Sequence, residues 1–203
     1  EIYMDADIYF YALTDTAFKS ILRKIKMPEG IQVHTAGCIP MNDFEDFTTK
    51  FGVFYRLKTF SINKSLDFSQ IPICIEACNM EVQQKLVDLA KLLSDKTYLV
   101  SSDHRRNLHL AAVFACNFTN FMYDVASKIL DDSGFTFDMI QPLIAETAEK
   151  IKTMNPYEAQ TGPALRMDDK TISKHLSLLK KRPDLSKIYK LITKNIYNRH
   201  KKH

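Results

Sequence analysis

Glycine is the first shortage: 203 residues hold only 5. So few glycines leave no room for a phosphate-cradling turn, and the chain contains neither G-x-G-x-x-G nor G-x-x-x-x-G-K. Cysteine is sparse as well. Cys38, Cys74, Cys78 and Cys116 do not form the pattern of a secreted disulfide framework. Cys74 and Cys78 lie in a segment that reads as a strand, where they would share a face about 13 Å apart. That is too far to bridge or to share a metal, so reduced thiols, no metal site and a cytoplasmic setting are expected. Long apolar runs are missing too. The longest uncharged stretch, Asn107 to Tyr123, is shorter than a membrane span and contains His and Asn. No signal or transit segment is recognisable, and no membrane partner is expected. Neither sign of charge dominates, the net being +4. Much of the excess sits in residues 180–203, rich in Lys and Arg with Asp184 the one acid. Such a tail could touch nucleic acid or anionic lipid. A solvated last helix explains it without a partner, and no nucleic acid is expected.

What is present is ordinary for a globular chain: 45% hydrophobic and 26% charged residues. The length allows one larger domain or two small ones. Ile8 to Leu13 reads as a buried strand, "TDTAFKSILRKI" as a helix, "IQVHTAG" as a second strand, "PMNDFEDFTTKF" as a helix, and "GVFYRLKTFS" as a third strand. A further strand in "DFSQIPICIEAC", a helix in "EVQQKLVDLAKLLSD" and a strand in "KTYLVSS" follow. Alternating strands and helices predict a parallel sheet with crossover helices. After residue 102 strand signals cease. Arg105–Asp131, Phe135–Thr153, Asp168–Lys181 and Pro183–Arg199 read as helices. The expected fold is therefore α/β plus all-α, with a domain of residues 1–101 and a helical domain of residues 102–203. A buried strand only seven residues in predicts further sheet upstream of Glu1. Without it, a partner or additional residues would have to cover an open edge.

In open α/β sheets, ligands bind outside the carboxyl ends of the strands. Here those ends are Leu13, Thr14 and Asp15, and His34, Thr35, Ala36 and Gly37. Two readings stay open for each group. Asp15 either caps its helix or faces a ligand; His34 is either a satisfied strand-end histidine or part of a site.

The segment "HLAAVFACNFTNFMY" (109–123) combines an apolar surface with His109, Asn117, Thr119 and Asn120. An all-round apolar helix is normally buried, and buried polar groups are costly unless partnered. At about 100° per residue, with His109 at zero, Asn120 falls near 20° and Asn117 near 80°. This narrow stripe faces either a hydrogen-bonded interior or a substrate cleft. In the second reading His109 donates a proton or holds a carbonyl, and Asn117 orients the same group. "AQTGPALRMDD" adds Thr161, Gly162 and Arg166, with Asp168 placed to cap the next helix. It is either a plain connection between helices or an anion clamp.

The motifs "VHTAGCIPM", "GVFYRLKTFS", "RRNLHLAAVFACNFTNFMY" and "AQTGPALRMD" resemble those of the Rossmann-like oxidoreductases ending in the domain of unknown function 2520. That group is similar to pyrroline-5-carboxylate reductase and the 6-phosphogluconate and β-hydroxyacid dehydrogenases. The resemblance runs from about residue 7 to about residue 197. It implies a dinucleotide-binding domain using NADP or NAD, a helical domain that forms a homodimer, and a small-molecule substrate bound between the two. It puts Leu13, Thr14 and Asp15 beside the cofactor's ribose, and His34, Thr35 and Ala36 near the nicotinamide. His109 and Asn117 would be the catalytic pair, with Asn120, Thr161, Gly162 and Arg166 on the substrate. The family's glycine-rich turn would lie upstream, so cofactor binding by these residues alone is expected to be weakened. No Lys stands where related dehydrogenases carry one, and Arg56 and Lys58 depart from the third-strand motif. The implied activity is hydride transfer between nicotinamide and a small carbonyl, imine or hydroxy acid. The alternative is a catalytically silent nucleotide-binding or regulatory protein on the same scaffold.

Overall fold

The computed structural model describes residues 2–58 and 67–201. The first three strands are β1 (Ile8–Tyr11), β2 (Ile31–His34) and β3 (Phe51–Arg56), separated by helix α1 (Asp15–Leu22) and a short 3₁₀ turn (Met41–Phe44). There follow β4 (Ile73–Ala77), α2 (Met80–Leu93) and β5 (Thr97–Leu99). The remainder is helical. α3 (Ser102–Ala112) runs through a π-helical segment (Val113–Phe118) into α4 (Thr119–Asp131). After a second 3₁₀ turn (Phe137–Ile140) come α5 (Gln141–Thr153), α6 (Pro163–Arg166), α7 (Asp169–Leu178) and α8 (Pro183–Lys201). The α/β-plus-helical architecture expected from the alternation is present.

The sheet order is β1-β2-β3-β4-β5. β1 and β2 pair in parallel, with Tyr11 opposite His34, and β2 and β3 pair in parallel, with His34 opposite Val53. β3 and β4 pair antiparallel, and β4 and β5 parallel. The sheet is thus mostly parallel with one reversal. A reversal needs no crossover helix, whereas a parallel return does. Two further differences are local. The expected helix at residues 40–51 is the single Met41–Phe44 turn, and β3 ends at Arg56; residues 59–61 of the expected strand lie outside the described residues.

Two compact units divide the chain, Glu1–Ala126 and Ser127–His203. In the first, β3 is buried along Phe51–Tyr55, as a central strand covered on both faces must be. One face packs Ile31, Val33, Phe54, Ile73 and Ile75 against Val82, Leu86 and Ala90 of α2. Each of the Ile, Val, Leu and Phe side chains contributes about 1.5–3 kcal/mol by leaving water. α2 is capped by Asn79, whose side chain accepts from the Val82 N–H at 2.9 Å. The other face joins Phe18 and Leu22 of α1 to Ile39, Phe44 and Phe51. A third cluster, Val53, Tyr55 and Cys74, receives Leu108 of α3. Cys74 is buried, Cys78 half-buried, and all four cysteines are free.

The second unit consists of α5–α8 and the last turn of α4. Gly162 has a φ of 103°, which lets the chain turn into α6, and Asp168 caps α7 by accepting from Thr171 N–H at 3.1 Å. That bond and the Thr171 hydroxyl hold the Asp168 carboxyl below its ordinary range. His175 and Tyr189 join α7 to α8 through a 2.8 Å hydrogen bond. Among the described residues, no helix is long and apolar enough to cross a membrane, and no cluster of His, Cys, Asp or Glu could hold a metal ion.

Candidate active site at the sheet rim

The parallel register of β1, β2 and β3 brings their carboxyl ends to one rim of the sheet. β1 gives way to Leu13, half-buried, and to the exposed Thr14 and Asp15 at the start of α1. Thr14 stands at the N-cap position without a side-chain capping bond; its hydroxyl is 3.3 Å from that of Thr16. Asp15 occupies the first turn, where a carboxylate favours the helix dipole. Both polar side chains therefore stay on the surface of the rim.

β2 ends in His34, whose imidazole is fully buried between Phe18 and Phe44. Its Nδ1 accepts from the Ala36 N–H at 3.3 Å, while Nε2 has no hydrogen-bond partner among the described residues. Burial, and then the nearby Arg105 cation, push its pKa down to about 3, against a weaker opposing influence of the Pro40 backbone. His34 is therefore neutral and shapes the turn from within. Thr35 and Ala36, half-buried, are the residues of that turn that a ligand on the rim would meet.

The next residue, Gly37, fixes the approach of α3. A Cβ there would lie 2.5 Å from Nδ1 of His109 and 2.7 Å from its Cγ. Only glycine lets the imidazole rest on this turn. From the other side, the Tyr55 hydroxyl lies 3.0 Å from the same Nδ1. Tyr55 is buried in β3, and its phenol is held above its ordinary range mainly by burial, with Cys74 and Cys38 adding and Arg105 opposing.

A buried polar knot anchors the start of α3. Arg105, 1% exposed, pairs with Glu76 of β4 and donates to the Ile39 carbonyl. Glu76 also accepts from the Ser102 N–H at 2.8 Å and from its hydroxyl at 2.7 Å. The knot ties β4, the loop after Gly37 and α3 together, which sets where His109 emerges. Ser101 caps the helix by accepting from the His104 N–H.

Beside His109 opens a cavity of about 440 Å³, lined by Tyr55, Leu57, Lys58, Leu108, Cys116 and Asn117 among others. Most of its wall is apolar; among the described residues Lys58 brings the one formal charge. Of the residues singled out in the sequence, the structure thus joins His109 and Asn117 in one cavity and packs His109 on the His34–Gly37 turn. The regular 100° spacing does not survive: the π segment Val113–Phe118 widens the helix between the two. Asn120, beyond the π segment, is exposed and not part of the cavity wall. Leu110, Phe114, Phe118 and Phe121, expected to be buried, are 55%, 62%, 48% and 44% exposed. Thr161 and Arg166 are exposed and Gly162 half-buried, all in the second unit.

Sequence reasoning missed Tyr55, Glu76 and Arg105. Tyr55 reads as one more apolar residue of "GVFYR". Glu76 carried a usable signal, a lone carboxylate inside the otherwise apolar "ICIEAC".

The family pattern described as domain of unknown function DUF2520 matches residues 71–196. The chain belongs to the DUF2520 family. Among solved structures, a Bacteroides fragilis protein provisionally named an NADP oxidoreductase is 42% identical, with a TM-score of 0.93 over 98% of this chain and 78% of that one. A Thermotoga maritima protein is 21% identical, with a TM-score of 0.81 over 95% of this chain and 78% of its own. The 1-pyrroline-5-carboxylate reductase of Streptococcus pyogenes is 13% identical, with a TM-score of 0.56 over 97% and 76% of the respective chains. The last two share the fold alone. No curated protein matches the chain. The DUF2520 region starts just before β4, so it takes in the Glu76–Arg105 knot, His109 and Asn117, while the rim turns of β1 and β2 precede it.

Proposed function

We propose that this DUF2520 protein is a nicotinamide-dependent oxidoreductase, transferring a hydride between NADP or NAD and a small carbonyl, imine or hydroxy acid. One observation carries the reading: His109 rests on the turn at the end of β2, with Tyr55 on its Nδ1 and a cavity beside it. The 42% identical relative provisionally named an NADP oxidoreductase supports the same chemistry.

The rim fits the ribose and nicotinamide end of such a cofactor. Thr14 offers an exposed hydroxyl, Asp15 an exposed carboxylate, and Thr35 and Ala36 a narrow turn over which a flat ring can lie. Leu13 and the buried His34 hold the two turns in place. The pyrophosphate-binding glycine motif is not among these residues. When bound, the nicotinamide supplies or accepts the hydride. The chain's own part is to orient and to move a proton. His109 hydrogen-bonds the substrate's oxygen or nitrogen and gives it a proton as the hydride arrives at carbon; water restores the proton to the imidazole. Asn117 orients the same heteroatom, and the apolar wall of Leu57, Leu108 and Val113 excludes bulk water. Asn120, Thr161, Gly162 and Arg166 are assigned to substrate binding on sequence grounds, and residues 102–203 to substrate binding and to a homodimer.

A second reading is a protein that binds nucleotide without turning it over. The absence of Lys from the cavity face of α3 favours it, since related dehydrogenases carry one there. Titration of the full protein with NADPH, followed by nicotinamide fluorescence, separates the readings from failure of both. Micromolar binding with oxidation of NADPH by a carbonyl or imine substrate supports the enzyme. Binding without oxidation across a broad panel supports the silent scaffold, and no binding at millimolar cofactor overturns both.

A further inference from the structure

We infer that Tyr55 is a positioning residue that fixes which nitrogen of His109 carries the proton. This rests on the reading of His109 as the group that faces substrate. A neutral imidazole has one N–H, on Nδ1 or on Nε2, and the partner of one nitrogen decides the state of the other.

Three features of the structure set the choice. The Tyr55 hydroxyl lies 3.0 Å from Nδ1, within normal hydrogen-bond range. Burial in β3 keeps the phenol protonated, so it has an O–H to give. The same edge of the ring is closed by Gly37, with no room for another group beside Nδ1. Nε2, by contrast, has no hydrogen-bond partner among the described residues, and His109 lines the cavity. Donation from Tyr55 to Nδ1 therefore leaves the proton on Nε2, the nitrogen available to a ligand. His109 then presents a donor to a carbonyl oxygen or imine nitrogen. With the opposite tautomer it would present a lone pair and repel the same atom. The Glu76–Arg105 knot and Gly37 hold the ring in place; Tyr55 sets its protonation pattern.

The test is a ¹⁵N–¹H correlation spectrum of the full protein labelled at histidine, without cofactor, at about pH 8.5, where imidazoles are neutral. His109→Asn assigns the signals by their disappearance. The expected spectrum shows His109 with its proton on Nε2. In Tyr55→Phe the preference collapses to a mixture, or reverses. A wild-type His109 protonated on Nδ1, or a Tyr55→Phe spectrum unchanged from wild type, overturns the inference. Should Tyr55→Phe fail to fold by circular dichroism, a wild-type His109 protonated on Nδ1 still overturns the inference, and Tyr55→Leu replaces the variant in the comparison. Where turnover is measurable, Tyr55→Phe lowers kcat about tenfold or more and leaves KM within about twofold. The spectra need no cofactor or substrate, so failure of the oxidoreductase reading leaves their outcome interpretable.

Discussion

Every buried apolar side chain among the described residues, from Phe18 to Ala90, belongs to the first unit; the second unit's one buried residue is Thr193. Yet α5, α7 and α8 are amphipathic helices too, though less sharply so than α1. The difference lies in what each apolar stripe meets. In the first unit a sheet receives helices on both faces and closes a core around β3. In the second, Leu143, Ile151, Leu178 and Leu191 are 67%, 54%, 82% and 63% exposed within a single chain. Exposed apolar surface on that scale marks an interaction surface. The comparison teaches that one unit closes its core around the rim turns and seats His109 upon them. The other presents an apolar face that a second copy would cover in the proposed homodimer.

The largest effect is expected from Glu76→Ala. It strands the buried Arg105 guanidinium without its carboxylate, at a cost of about 3–5 kcal/mol. Chemical denaturation followed by near-ultraviolet circular dichroism of the sheet unit's tyrosines should show it, and a midpoint unchanged from wild type would mean the knot is not what seats α3. His109→Ala comes next. It should lower turnover by about 10²–10⁴-fold, the usual contribution of a general acid, with NADPH affinity unchanged. A lowered melting temperature with normal turnover would assign His109 to stability instead.

A smaller effect distinguishes the interior of the first unit by pH. His34 has a folded pKa of about 3 against an ordinary histidine value of 6.5. Between these values the unfolded chain takes up a proton that the folded one refuses, so stability falls as pH falls through that window. Above 6.5 both states are neutral and the contribution is flat. From pH 6.5 to about pH 5 the loss is on the order of 2 kcal/mol. His34→Gln should flatten this slope in urea titrations; an unaltered slope would show that His34 protonates readily when folded. The smallest effect is expected from Leu143→Asp, which should weaken self-association about tenfold, or 1.4 kcal/mol, by analytical ultracentrifugation. A wild-type protein that sediments as a monomer at high concentration would remove the dimer and leave the apolar face without its proposed cover.

Much of the fold was legible because its signals are local. The run from Phe51 to Tyr55 reads as a buried strand, and Asp168 reads as a cap and is one. The reversal between β3 and β4 was not legible, since strand direction is set by what the chain does between strands and not by the strands themselves. The site was half legible. His109 and Asn117 stood out as polar residues in an apolar segment, and they do line one cavity. The π segment between them leaves no mark in residue spacing, so Asn120 was grouped with them by a geometry the helix does not keep. Tyr55 was hidden because its ring behaves as core while its hydroxyl alone reaches Nδ1. Gly37 belonged to a motif noticed for its small residues, but what its missing Cβ admits is a side chain about seventy positions away, which no local pattern encodes.

The most direct test of the site is amide hydrogen exchange of the full protein with and without saturating NADPH. Binding at the rim predicts slowed exchange at residues 13–15 and 35–37, with the opposite ends of β1 and β2, around Ile8 and Ile31, unaffected. Protection confined to those opposite ends, or to α5–α8, would contradict it.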